Sequence, residues 1–94
     1  MAAVLRVNPE AVNSLVRRLR RVEGQVRGLQ RMLLEGRDCT EVMQQMAAVR
    51  AALDRAAMDL LSAGLEECLR LELRGKPEAQ RALRQLQRAF LTLR

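Results

Sequence analysis

Residues 39–73 read CTEVMQQMAAVRAALDRAAMDLLSAGLEECLRLEL, and this stretch decides the fold. It contains no proline, its single glycine is Gly64, and most of its residues are strong helix formers. Its apolar residues recur at the three- and four-residue spacing of one helical face. They are Val42, Met46, Val49, Leu53, Ala57, Leu60, Leu61 and Leu65. We predict one helix over 39–73, roughly 52 Å long at 1.5 Å per residue.

A helix of this length is too long for the core of a monomer. A compact chain of 94 residues has a radius of gyration of about 13 Å, and the sequence offers a single aromatic side chain, Phe90, to fill a core. The apolar stripe runs the whole length of the helix, so another surface has to cover it. A second copy of the chain is the simplest cover. We therefore predict an antiparallel homodimer with a four-helix-bundle core.

The residues before this stretch predict a first helix. Asn8 followed by Pro9 is typical of a helix start, with Asn8 as the N-cap and Pro9 as the first helical residue. Gly36 is typical of a helix end. Between them the apolar residues recur on one face, which we expect to point inward. They are Val12, Leu15, Val16, Leu19, Val22, Val26, Leu29 and Leu33.

Further signals mark the second and third helices. Asp38 and Glu41 predict a capping box at the start of the second helix. Gly75 ends that helix and Pro77 begins a third one, in which Leu83, Leu86, Phe90 and Leu93 are expected to face inward. The prediction is an all-α chain with helices at about 9–35, 39–73 and 77–93, forming a single domain over residues 1–94.

The positive charge is concentrated in the first part of the chain. The net charge is +6, and residues 1–37 hold eight arginines against three acidic residues. This distribution indicates a surface that binds a polyanion, although a solvated helix face is the alternative for any run of arginines. Without stacking aromatics or a helix-turn-helix pattern, DNA binding would rest on phosphate contacts and depend steeply on salt. The candidate DNA-contacting residues are Arg17, Arg18, Arg20, Arg21, Arg27, Arg31, Arg50 and Arg55.

Two glycines interrupt the first predicted helix. Gly24 and Gly28 each cost about 1 kcal/mol in a helix interior, so a reason for them is expected. Close approach of another helix and close approach of a DNA backbone both explain them. The sequence leaves these two accounts open.

The cysteine content and the chain start favour the cytoplasm. The start MAAVLRVNPE lacks the pattern of a signal peptide, and no apolar stretch reaches membrane-spanning length. Two cysteines without a secretion signal indicate a reducing compartment, where thiols serve chemistry or metal binding. We expect a cytoplasmic protein that has no membrane partner.

Cys39 and Cys68 lie 29 residues apart on the long predicted helix. At about 100° per residue this offset brings both to the same face, roughly 43 Å apart along the axis. A disulfide needs Cα atoms within about 7 Å, so the two cannot meet within one chain. In an antiparallel dimer with its two-fold axis near Leu53 and Asp54, Cys39 faces Cys68 of the partner subunit, which creates two identical two-thiol sites.

The two thiols differ in their expected reactivity. Cys39 is at a helix N-terminus beside Arg37, where the helix dipole and the cation favour the thiolate. Cys68 lies among Glu66, Glu67 and Arg70 and has no such help. We expect Cys39 to be the nucleophile and Cys68 of the partner to be the resolving thiol. The alternative is that both are inert core residues.

Several segments resemble the CsoR/RcnR family of bacterial repressors. They are RRLRRVEGQVRGLQRML at 17–33, which contains the RxEGQxRG string, then Cys39, AAVRAALDRA at 47–56, and Cys68. The resemblance covers nearly the whole chain. It implies an all-helical dimer that pairs into a tetramer and releases double-stranded operator DNA when an inducer binds.

Members of this family respond to different inducers, and the residues at a few positions distinguish them. Copper sensors of the family carry a histidine at the position of Gly64, and typically Tyr and Glu at the positions of Asp38 and Arg84. This chain contains no histidine at all. Nickel and cobalt sensors need imidazole nitrogen, which argues against them here. Formaldehyde sensors typically lack the second cysteine and carry a proline at the position of Ala2. Two cysteines without the histidine resemble the persulfide-sensing CstR branch.

These observations predict a transcriptional repressor that senses reactive sulfur species. A persulfide or polysulfide would join Cys39 to Cys68 of the partner through sulfur and so release the DNA. The alternatives are a copper(I)-responsive repressor that uses the two thiolates as metal ligands, and a non-regulated basic protein that coats DNA. We expect neither an enzyme nor a resident cofactor, because the chain lacks histidine and a phosphate-binding loop.

Overall fold

The computed structural model describes residues 7–93 and consists there of three helices, α1 (Pro9–Leu34), α2 (Cys39–Leu73) and α3 (Ala79–Leu93). The all-α prediction is confirmed. Ala2 and the rest of the MAAVLR segment lie outside the described residues, as does Arg94. Within residues 7–93, no helix is long and apolar enough to cross a membrane.

The ends of α1 follow the predicted local chemistry. The Asn8 side-chain oxygen accepts a hydrogen bond from the backbone N–H of Ala11 at 2.8 Å, which satisfies one of the free donors at the helix start. At the other end, Gly36 adopts φ = 71°, a left-handed conformation that favours glycine. The N–H of Arg37 then donates to the carbonyl of Met32 at 3.0 Å. This turn reverses the chain into α2.

The predicted capping box at the start of α2 is wrong. Asp38 is the N-cap residue, but its side chain makes no capping hydrogen bond. The carboxylate of Glu41 instead accepts two hydrogen bonds from the Arg37 guanidinium, at 2.7 and 3.2 Å. A charge-assisted bond to arginine is stronger than one to a neutral backbone N–H, so Arg37 draws Glu41 away from the helix start.

The start of α3 also differs from the prediction. The helix begins at Ala79 rather than at Pro77, because residues 77–78 belong to the turn that follows α2. In this turn Gly75 has φ = 66°, and the N–H of Ala79 donates to the carbonyl of Lys76 at 3.2 Å. Proline therefore precedes the helix here instead of opening it.

Helix α2 is the central element of the chain. Helix α1 packs antiparallel along it, and α3 folds back against its C-terminal part. Within the described residues, α1 and α3 make no contact with each other. Because the outer helices touch α2 alone, each has a single neighbour in the chain, and much of their apolar surface stays open.

The core is accordingly small, and many side chains predicted to face inward are exposed. Leu19 is 43% exposed, Leu53 46% and Phe90 51%. No side chain in residues 7–93 is both large and fully buried. The buried hydrophobic residues are Val22, Val42, Val49, Ala56, Cys68, Ala79 and Ala82. A single chain cannot cover its own apolar faces.

The shape of the chain supports the same conclusion. The radius of gyration is 17.4 Å and the extents are 57 × 25 × 23 Å, whereas a compact chain of this length has a radius of about 13 Å. The accessible surface is 7505 Å², against about 5,500 Å² for a compact monomer of this mass. The fold therefore presents a large surface that a second copy could bury.

Candidate functional site

The two cysteines lie at opposite ends of α2. Cys39 is the first residue of the helix and is exposed, whereas Cys68 is 5% exposed, and neither forms a disulfide. The helix is continuous between them, so the same-face relation and the separation of about 43 Å hold for the folded chain. The structure thus does not bring them together within one chain. Their meeting across two subunits stays a prediction.

Burial sets the chemistry of Cys68. Removal of the thiol from water raises its pKa above the usual value, and the nearby negative charge of Glu67 raises it further. The Arg70 guanidinium forms an ion pair with the Glu67 carboxylate at 3.3 Å rather than with the Cys68 sulfur. Cys68 is consequently held as the neutral thiol, as expected from its place among Glu66, Glu67 and Arg70.

The environment of Cys39 differs in part from the sequence expectation. Arg37, the cation expected to favour its thiolate, points to two carboxylates, Glu41 at 2.7 Å and Glu35 at 3.6 Å. The hydrogen bond and charge of Glu41 raise the pKa of the Arg37 guanidinium above its usual value. Cys39 itself lies in the first turn of this 35-residue helix.

The donor set of the chain fits one kind of metal ion. Among residues 7–93, no three His, Cys, Asp or Glu side chains cluster as metal ligands. The sequence has no histidine, which removes the imidazole that nickel and cobalt favour. Thiolates are soft ligands that suit copper(I). One chain offers one thiol at each end of α2, so a two-thiol site for copper(I) requires two chains.

Helix α1 carries its positive charge on the side away from α2. At about 100° per residue, Arg17, Arg20 and Arg31 lie opposite the buried Val22. Arg18 is the exception, because its guanidinium lies 3.2 Å from the Asp59 carboxylate of α2, which places it at the flank rather than on the outer face. The exposed arginines among the candidates are Arg17, Arg20, Arg21, Arg27, Arg31, Arg50 and Arg55.

The two glycines of α1 lie on this basic side. A Cβ atom built at Gly28 meets nothing within 4 Å, and one built at Gly24 meets the Arg27 guanidinium at 4.0 Å. Within the described chain, therefore, no close helix approach explains either glycine. Close approach of another helix of the same chain is thereby excluded as an explanation. Close approach of a DNA backbone is not excluded.

Arg50 lies apart from the basic side of α1. It lines a shallow groove on the exposed face of α2 together with Met43, Met46 and Asp54. The same face carries Cys39 and Leu53, and the predicted two-fold axis of the dimer passes near Leu53. Arg50 therefore lies on the predicted subunit interface, whereas the sequence predicted that it would contact DNA.

Sequence reasoning missed an apolar groove between α2 and α3. It has a volume of about 590 Å³ and is lined by Met58, Leu61, Ser62, Leu65, Leu86, Gln87, Phe90 and Leu91. The signal was present in the amphipathic pattern of residues 83–93, but those side chains were expected to be inward. They flank an open groove because α3 covers only part of α2.

The chain is similar to known bacterial regulators in sequence. It matches the sequence profile of the metal-sensitive transcriptional repressors over residues 11–92. It is 40% identical over 82 residues to the copper-sensing transcriptional repressor RicR of Mycobacterium tuberculosis, and the match covers 86% of this chain and 85% of that protein.

Solved structures show the same likeness. The copper-sensing repressor CsoR with Cu(I) from Geobacillus thermodenitrificans superposes with a TM-score of 0.80 at 29% identity, covering 95% of this chain and 92% of that one. The nickel-responsive regulator InrS gives a TM-score of 0.71 at 42% identity, covering 83% and 86%. These relatives sense copper or nickel, so the comparisons do not support the expected persulfide-sensing branch.

Proposed function

Because the chain belongs to the family of metal-sensitive transcriptional repressors, we propose that it binds operator DNA and releases it when copper(I) binds at Cys39 and Cys68 of paired subunits. The observation that carries the proposal is the placement of two thiols on one face of α2, near its opposite ends. An antiparallel pair of α2 helices converts that placement into two sites per dimer.

The open faces of the single chain support the dimer. Leu53, 46% exposed, lies midway between the two cysteines on their common face. An antiparallel α2 pair would cover the exposed part of this face, which includes Met46 and Leu53, and would bring Cys39 toward Cys68 of the partner subunit. The Cys68 end of the face is already buried within its own chain. Further apolar surface, including the groove between α2 and α3, remains for the pairing of dimers into tetramers.

Copper(I) is the inducer that the donor set and the relatives favour together. RicR and CsoR are copper-sensing repressors, and two thiolates are soft ligands of the kind copper(I) prefers. InrS responds to nickel, but the absence of histidine in this chain argues against nickel. Copper(I) bound by both thiolates would tie the two subunits together. Its binding requires Cys68 to lose the proton that burial retains.

Reactive sulfur is the second candidate signal, and the lack of histidine favours it. A polysulfide would transfer one sulfur atom to the Cys39 thiolate and leave as the shorter polysulfide. The Cys68 thiolate of the partner would then attack the sulfur bonded to the Cys39 Cβ, form a disulfide and expel hydrosulfide. This route ends in a covalent crosslink, whereas copper(I) binding leaves both thiolates intact.

The basic side of α1 is the proposed DNA surface. Its arginines are exposed, and the two glycines among them let a phosphate backbone come close to the helix. Arg18 is engaged with Asp59 and Arg50 is on the predicted subunit interface, so both are expected to contribute less to DNA binding than Arg21. Binding through phosphates should fall steeply with salt.

A titration of the salt dependence tests the DNA surface. Duplex DNA labelled with a fluorophore is titrated with protein at several salt concentrations, and log affinity is plotted against log salt. Arg21→Ala should lower the slope by about one unit for each subunit that contacts the DNA, and Arg18→Ala should lower it less. A flat plot for the unmodified protein would contradict DNA binding through this surface.

The inducer is tested on the protein–DNA complex. A duplex obtained by repeated rounds of binding selection serves as the operator, and copper(I) or polysulfide is added under anaerobic conditions. We expect release by copper(I) with no covalent crosslink in the mass spectrum. Release by polysulfide alone, with an intersubunit crosslink, would replace copper by sulfur. An unchanged response in Cys39→Ala would support the non-regulated DNA-coating alternative and remove the sensor proposal.

A further inference from the structure

We propose that Met43 supplies a third sulfur ligand to copper(I) at the intersubunit site formed by Cys39 and Cys68. This inference rests on the proposed copper response and deepens it. It starts from the donor set of the chain, in which the two cysteines leave a copper(I) ion with two protein ligands and no histidine is present to add another.

Helix geometry places Met43 beside Cys39. The two residues are four positions apart on α2, so their Cβ atoms are neighbours on one face, about 5–6 Å apart. Side chains of an α-helix lean toward its N-terminus, which directs the Met43 thioether over the turn that carries Cys39. Met43 is 57% exposed in the single chain, so its side chain is not part of the chain's own core.

The same pairing that joins the cysteines places Met43 opposite Gly64 of the partner subunit. Met43 and Gly64 are symmetric about the point between Leu53 and Asp54, as Cys39 and Cys68 are. Gly64 is buried within its own chain and has no side chain, so the partner helix brings no side chain of its own to the thiol pair at this position. The unbranched methionine side chain is flexible enough to turn toward the thiols instead.

The chemistry of the thioether suits this position. A methionine sulfur is a soft, neutral ligand that copper(I) accepts readily and that hard ions avoid. Unlike a thiol or an imidazolium, it needs no deprotonation to bind. Met46, the next sulfur on this face, is two turns from Cys39 and faces Leu61 of the partner, which leaves Met43 as the α2 thioether nearest to the thiol pair.

The test compares Met43→Leu with the matched control Met46→Leu in the full-length protein. Leucine nearly conserves the volume and helix preference of methionine, so both variants should fold. Copper(I) affinity is measured anaerobically by competition with a chromogenic chelator, and the ligand number by X-ray absorption at the copper edge. We expect affinity to fall about tenfold or more in Met43→Leu, with three sulfur ligands becoming two, and Met46→Leu to match the unmodified protein.

The outcomes separate this inference from the proposed function. Equal affinity and an equal sulfur count in Met43→Leu and the unmodified protein overturn the role of Met43, while a loss of binding in Cys39→Ser keeps the thiol site. An equal fall of copper(I) affinity in Met46→Leu also overturns the role of Met43, because the loss would then come from packing at the subunit interface. No copper(I) binding by the unmodified protein overturns the copper response and the third ligand together.

Discussion

Cys39 and Cys68 have opposite environments although one helix carries both. Cys39 is exposed at the start of α2, and Cys68 is 5% exposed. Burial raises the pKa of the Cys68 thiol, so the folded chain favours its neutral form. Any signal that requires both thiolates therefore has to overcome the cost of ionising Cys68. The pH dependence of such a signal therefore includes the ionisation of Cys68.

The raised pKa of Cys68 predicts a loss of stability at alkaline pH. A thiol with a higher pKa in the folded than in the unfolded state contributes stability below the unfolded pKa, and this contribution disappears as the pH rises through the folded one. We expect the free energy of unfolding to decline above the ordinary thiol range. Urea denaturation across that range measures it, and Cys68→Ala should remove part of the decline.

Cys39→Ala is the matched control for this experiment, because Cys39 is exposed. It should leave the alkaline decline in place. An identical decline in the unmodified protein and both variants would mean that Cys68 titrates equally in the folded and unfolded states.

At the scale of the helices, two glycines with different roles allow a direct comparison. Gly28 is inside α1 with open space around its missing Cβ, and Gly36 ends the following turn with φ = 71°. Gly28→Ala should stabilise the fold by up to about 1 kcal/mol through helix propensity. Gly36→Ala should destabilise it by about 1–2 kcal/mol, because alanine resists the left-handed conformation. Urea denaturation measures both changes.

The DNA affinity of Gly28→Ala then tests why α1 tolerates this glycine. If a phosphate backbone approaches the helix there, the more stable variant binds DNA more weakly than the unmodified protein. Unchanged affinity together with increased stability would contradict the close approach of DNA at this position.

Which helix features could be predicted depended on how local their causes are. Asn8 capping and the Gly36 turn were predictable because each involves neighbouring residues. The capping box was not, since the Arg37–Glu41 ion pair competes for the same carboxylate. The burial of Cys68 depends on how the helices pack together, which no local pattern encodes. The common face of the two cysteines was predictable from spacing alone.

At the scale of the whole molecule, the exposed apolar faces determine the behaviour of the chain. Several large hydrophobic residues of α2, such as Leu53 and Leu60, are nearly half exposed. The length of α2 already predicted that a single chain could not bury the apolar stripe of this helix. The sequence could not reveal the groove beside α3, because the number of neighbours of each helix is a tertiary property.

Leu53→Asp should break the dimer. Near the proposed two-fold axis, the change brings two added carboxylates close to each other and to Asp54, in a region that would otherwise exclude water. We expect sedimentation at micromolar concentration to show monomers, and thermal stability to lose its dependence on protein concentration. Gln44→Asp, which adds the same charge at an exposed position away from this face, should remain dimeric. Dimers in both variants would contradict the α2 pairing.

The most direct measurement of the central claim, that two subunits build each thiol site, is a complementation test of copper(I) binding. Cys39→Ser and Cys68→Ser chains are prepared separately and as a purified mixed dimer, and the copper(I) bound against a competing chelator is counted. Each variant alone should bind no copper(I) tightly. The mixed dimer should bind one ion, because one of its two sites holds Cys39 of one chain and Cys68 of the other. Tight binding by either variant alone, or none by the mixed dimer, would contradict the account.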